Sequence, residues 1–129
     1  MQQKIEVINY LRNLFLEIIP ETHYIRNKKK TVIYPYQTFS LSGEPIRFTG
    51  QGFYIDVDIF DNNVNSDVAI EKALSDMVEK FNGSEPFYQM ADHFLVQIEY
   101  RTDNVIPTGS DTLQRRSLQL YAKFDWRKN

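Results

Sequence analysis

The stretch Phe53-Tyr54-Ile55-Asp56-Val57-Asp58-Ile59-Phe60 decides the fold. Its odd positions are all apolar and its even positions carry two carboxylates and two aromatics. Successive side chains of a strand point to opposite faces, so this segment reads as a strand with one dry face and one wet one. Antiparallel sheets tolerate that arrangement. A polar run, Asp61-Asn62-Asn63-Val64-Asn65, follows as a loop, and then the apolar period changes. Ile70, Leu74, Met77 and Phe81 recur at helical spacing with Ala73 and Val78 beside them, predicting an amphipathic helix. Ser66 or Asp67 can cap its start by accepting from free backbone N–H groups, and Asn82-Gly83 stops it.

Working outward, residues 4–19 predict a first helix. Ile8, Leu11, Phe15 and Ile18 form its apolar stripe, widened by Val7, Leu14 and Ile19, and Pro20 ends it. A polar stretch from Glu21 leads to Lys28-Lys29-Lys30. A strand then begins at Thr31-Val32-Ile33-Tyr34, is interrupted by Pro35, and resumes through Leu41. Proline lacks a ladder donor, which marks Tyr34-Pro35-Tyr36 as an edge or a kink. Ser42-Gly43-Glu44-Pro45 and Thr49-Gly50-Gln51-Gly52 read as turns around a short strand, Ile46-Arg47-Phe48. Towards the other end, Phe94, Val96, Ile98 and Tyr100 alternate with polar residues. Leu118, Leu120, Ala122, Phe124 and Trp126 do the same, with Thr102 to Gln114 left between them as a long connection. The expectation is an α+β fold: a mostly antiparallel four- to five-stranded sheet, two helices packed on one face, order α-β-β-β-α-β-β.

Composition narrows the chemistry. The 129 residues suit one domain, 1–129, and 14% aromatics are enough to build a core. With no cysteine, a disulfide framework, a thiolate nucleophile and Cys-ligated metal sites are all excluded. The opening Met1-Gln2-Gln3-Lys4 lacks a signal peptide's apolar run, and charges break every apolar stretch, so a soluble cytoplasmic chain is expected. Charge is segregated: residues 1–50 carry a net +3, residues 51–100 a net −8 and residues 101–129 a net +3. That pattern is unlike the single basic patch of a nucleic-acid binder. It fits opposed surfaces in a head-to-tail oligomer, or an acidic helix and loops with no such role.

Each chemical constellation meets a plainer alternative. Asp56 and Asp58 share a strand face near Asp61, a trio of a kind that binds hard cations. Neither calcium-loop register keeps its glycine and closing glutamate, so no metal is expected. His23 and His93 fall in polar loops, and no G-x-S-x-G elbow accompanies them. Gly50-Gln51-Gly52 precedes a strand, whereas a phosphate cradle follows one and opens a helix. The basic groups Lys28-Lys29-Lys30, Arg115-Arg116 and Arg127-Lys128, with Tyr34, Tyr36, Tyr121 and Trp126 nearby, suit either a stacking platform for single-stranded nucleic acid or a protein-contact rim. The Thr102–Gln114 connection is long enough to reach a neighbouring subunit, or to be a mobile loop without a role.

Four local patterns carry a resemblance. They are Tyr34-Pro35-Tyr36, the run from Phe53 to Asp61, Ile106-Pro107, and Arg115-Arg116-Ser117-Leu118-Gln119-Leu120-Tyr121 continuing to Asp125-Trp126-Arg127. Over nearly its whole length the chain resembles the tail terminator (tail completion) proteins of long-tailed bacteriophages and prophages, the minor-tail-protein-U type. The resemblance implies a small α+β subunit without catalysis, cofactor or metal. Copies form a ring, typically six-fold, that caps the tail tube and offers a docking surface to the head. It implies three partners: the chain itself, the tail tube protein and a head-completion or connector protein. It also implies assembly in the host bacterial cytoplasm and a place at the tail–head junction, with neither membrane nor direct nucleic-acid recognition. Another head–tail connector protein, or a sheet-based nucleic-acid-binding domain, is the alternative. The interface candidates are Lys28, Lys29, Lys30, Tyr34, Tyr36, Asp56, Asp58, Asp61, Arg115 and Arg116.

Overall fold

A computed structural model describes residues 2–45, 50–63, 65–83 and 85–126. The expected strand at Ile46-Arg47-Phe48 and the Arg127-Lys128 pair lie outside the described residues. In chain order the elements are α1 (Gln2–Leu16), β1 (Thr22–Tyr24), β2 (Tyr36–Pro45), β3 (Gly50–Asn62), α2 (Val68–Phe81), β4 (Phe87–Met90), β5 (Phe94–Ile106) and β6 (Leu113–Trp126). They form an α+β fold with one six-stranded sheet, ordered β1-β2-β3-β6-β5-β4, in which only the β1–β2 pair is parallel.

The ladder at the centre sets the rest. β3 pairs with β6 without interruption from Gly50↔Asp125 to Asn62↔Leu113, and with β2 from Tyr36↔Phe60 to Pro45↔Gln51. Period two then places Phe53, Ile55, Val57 and Ile59 on the same face as Phe39, Leu118, Leu120, Ala122, Phe124, Val96 and Ile98, all buried. Val7, Leu11, Leu14 and Phe15 of α1 join that core, as do Ile70, Ala73, Leu74, Met77 and Phe81 of α2. Phe15 packs edge-on against Phe39 and Phe81, which ties both helices to the sheet and to each other.

Local chemistry explains the helix ends. α1 stops at Leu16, ahead of Pro20, and the Ile18 and Ile19 amides both turn back to the Phe15 carbonyl. That carbonyl also accepts from the buried Gln37 amide, which donates to the Thr22 hydroxyl as well. α2 opens with the Ser66 hydroxyl accepting from the Val68 amide at 3.1 Å.

Several expectations are corrected. The sheet has six strands instead of four or five, because β1 and β4 are short edge strands inside stretches read as polar loops. The order is therefore α-β-β-β-α-β-β-β. His23 accordingly lies in β1. Residues 31–34 form no strand; β2 starts after Pro35 and continues through Ser42-Gly43-Glu44-Pro45, where turns were expected. Because β1 covers β2, Pro35 does not mark the sheet edge. Gly50-Gln51-Gly52 belongs to β3. The long connection shrinks to residues 107–112, since β5 runs on to Ile106 and β6 begins at Leu113. Thr102 to Val105 are polar or exposed, yet Thr102 to Ile106 pair with Gln119 to Arg115, and Tyr100 to Thr102 takes up an irregularity in register.

Gly43 shows how tightly β2 is seated. A Cβ there would lie 2.7 and 2.9 Å from ring atoms of Phe53, its partner across the ladder. Phe53 in turn packs against Phe124. Gly43→Ala is expected to destabilise the fold by about 1–3 kcal/mol through overpacking, read as a lower urea midpoint at unchanged slope.

Candidate assembly interface

Both helices cover one face of the sheet, so the opposite face stands without a covering layer among the described residues. Its centre is built from the even residues of β3 and the odd residues of β6, fixed by the Asp58↔Ser117 and Phe60↔Arg115 register. Arg115 Nε donates to Asp58 Oδ1 at 3.0 Å, and its guanidinium lies 5.7 Å from the Phe60 ring centre. Phe60 stacks on Tyr36 at 4.8 Å, and Tyr34 stands 5.6 Å from Tyr36. Burial, together with Tyr34 beside it, pushes the Tyr36 phenol above its ordinary pKa. Further along, Gln119 Nε2 donates to Asp56 Oδ1 at 3.2 Å, and Tyr54 and Tyr121 pack at 4.9 Å.

Five of the ten expected interface residues thus meet on one surface: Tyr34, Tyr36, Asp56, Asp58 and Arg115. Phe60, Tyr54 and Gln119 were missed as members of it, although strand alternation alone assigns Tyr54 and Phe60 to the face of Asp56 and Asp58. The surface is polar and aromatic, with the Arg115–Asp58 ion pair and the Gln119–Asp56 hydrogen bond near its centre.

The other candidates go elsewhere. Asp61 has the opposite parity, is buried on the helix side, and does not join Asp56 and Asp58. Arg116 also faces the helices. It is 7% exposed, its Nε donates to Glu71 Oε1 of α2 at 2.6 Å, and its Nη1 donates to the Arg115 carbonyl at 3.3 Å. Arg115 and Arg116, adjacent in sequence, are therefore divided: both sit within β6, on opposite faces. Lys28, Lys29 and Lys30 lie in an exposed connection before β2, where Lys29 Nζ binds Glu21 Oε1 at 2.8 Å. That bond holds the Glu21 carboxyl below its usual pKa. His93 Nδ1 lies 3.2 Å from Glu6 Oε2.

The backbone fold recurs in solved structures. A chain of the virion of a native gene transfer agent particle superposes with a TM-score of 0.63 at 7% identity, over 87% of this chain and 84% of that one. A second solved chain superposes with a TM-score of 0.70 at 10% identity, over 100% and 99%. What is shared is the fold. No family model matches the chain, and no curated protein matches it.

The two arginines separate surface from core. Arg115→Glu should leave the subunit folded, because the partly exposed Arg115–Asp58 pair contributes only about 0–1 kcal/mol. Arg116→Glu puts a largely buried carboxylate beside the half-exposed Glu71 and removes a charged hydrogen bond, and a larger cost of about 1–3 kcal/mol is expected. Urea unfolding of the two variants, side by side, checks the contrast.

Proposed function

We propose that this chain is a structural subunit of a phage-type tail. Copies of it close into a ring that caps the tail tube, ends its growth and presents the surface on which the head docks. The observation that carries this reading is the backbone plan shared with a chain of a virion particle over most of both chains. The resemblance of the sequence to tail terminators adds to it. In this reading the protein makes and breaks no bond. It acts through its exterior, with partners in its own copies (six per ring), the tube protein and a head-completion protein. It assembles in the host bacterial cytoplasm and ends at the tail–head junction.

A different connector at the same junction is the second reading, because a virion chain need not be a terminator. A nucleic-acid platform has less in its favour. Arg115 and Arg116 are engaged by Asp58 and Glu71, and the open face they were to supply holds carboxylates at its centre.

Adding the purified chain to polymerising tube subunits tests the capping role. Tubes should stop growing and show a ring at one end by negative-stain microscopy. Tubes of unaltered length with bare ends would rule out termination. Binding of head-connector rings without any effect on the tube would favour the second reading.

A further inference from the structure

We propose that the two ends of the sheet are the two halves of one contact between copies, the basic end of one subunit meeting the acidic end of the next. The inference rests on the ring reading and names the surfaces that close it.

The ends differ in charge. β1 and the connection after it form one end, and residues 21–34 carry a net +3. A groove of about 340 Å³ opens there beside α1, lined among others by Arg12, Arg26 and Lys28. These three cations make no ion pair among the described residues. β4 and β5 form the other end, and residues 85–103 carry a net −3 through Glu85, Asp92, Glu99 and Asp103 against Arg101. β4 covers β5 only as far as Ile98, so among the described residues Glu99 to Ile106 is a strand with an open edge, a template for further association.

Apolar exposure follows the same division. The described residues include eight large hydrophobics at least 40% exposed, and six of them belong to the two ends. Ile25, Val32 and Ile33 lie at the basic end; Tyr88, Met90 and Val105 lie at the acidic end. Ile25 also adopts a φ of +71°, a strained conformation for a β-branched residue, while its side chain stays outside the core. Apolar groups rimmed by charge are the anatomy of a protein–protein interface.

Opposite signs decide the symmetry. A two-fold contact through either end would set like charges against each other, whereas head-to-tail contact pairs unlike ones. Such a heterologous contact propagates from copy to copy until it closes.

The chain lacks cysteine, which makes the test clean. The double variant Lys28→Cys with Glu99→Cys, treated with a short bismaleimide, should give a ladder of products ending at a closed ring. Either single variant should give only background. Charge reversal supplies the second arm. Arg26→Glu with Lys28→Glu, and separately Glu85→Lys with Glu99→Lys, should each weaken self-association about tenfold or more. Mixing the two reversed proteins should restore it. Discrete dimers from a single-cysteine variant, or a parent chain that forms rings while the double-cysteine variant gives no ladder and the charge-reversed variants still assemble, would overturn the edge assignment and leave the ring reading standing. A parent chain that remains monomeric at the highest concentrations and low salt, even with tube subunits added, while the double-cysteine variant gives no ladder, would remove both.

Discussion

The antiparallel ladder between β3 and β6 is the constraint on which the molecule depends. Thirteen consecutive residue pairs leave no freedom of register, and a slip by one would exchange the two faces entirely. Phe53, Ile55, Val57 and Ile59 would then meet water while Tyr54, Asp56, Asp58 and Phe60 turned under the helices. Burying two carboxylates there without partners is prohibitive. The alternation therefore fixes more than a strand. It determines where α1 and α2 must lie, because only one face needs covering. It also determines which charged side chains can serve as an outer surface.

The strongest patterns were legible for this reason. The helices around Ile8–Phe15 and Ile70–Phe81, and the strands beginning at Phe53, Phe94 and Leu118, each repeat apolar residues with one clear period. What could not be read were segments whose structure comes from a neighbour. Thr22–Tyr24 and Phe87–Met90 are too short to display a period, and they exist as strands because β2 and β5 offer them edges. Thr102–Ile106 has almost no apolar alternation and is held by pairing to β6. Of the candidate site, Asp56 and Asp58 were legible as a shared face, and the same parity already separated Asp61 from them. Arg115 and Arg116 had to fall on opposite faces as soon as β6 was extended back to Leu113. Their apparent unity as a basic pair came only from their adjacency in the sequence.

Charge read along the chain also changes meaning in three dimensions. The basic tail segment and the acidic middle segment are not two separate surfaces, because β6 lies beside β3 and Arg115 meets Asp58 there. Arg116 likewise meets Glu71 of the acidic helix. Much of the sequence-level contrast is thus spent inside the subunit. What survives on the outside is the part that folding keeps apart: the run around Arg26 and Lys28 at one end of the sheet, and Glu85 to Asp103 at the other.

This separation distinguishes the surfaces by what they can contribute to assembly. On the open face, Asp58 is matched by Arg115 and Asp56 by Gln119, while Phe60 already stacks on Tyr36. A partner docking there would have to break or desolvate matched pairs, and matched polar surface favours orientation over affinity. At the sheet ends the cations Arg12, Arg26 and Lys28 make no ion pair among the described residues, and Ile25, Val32, Tyr88, Met90 and Val105 still expose apolar area. Removing that area from water is favourable at about 25 cal/mol per Å² before the losses of association are counted. The strength of a contact between copies is therefore expected from the ends of the sheet, with the open face setting which way a neighbour can sit.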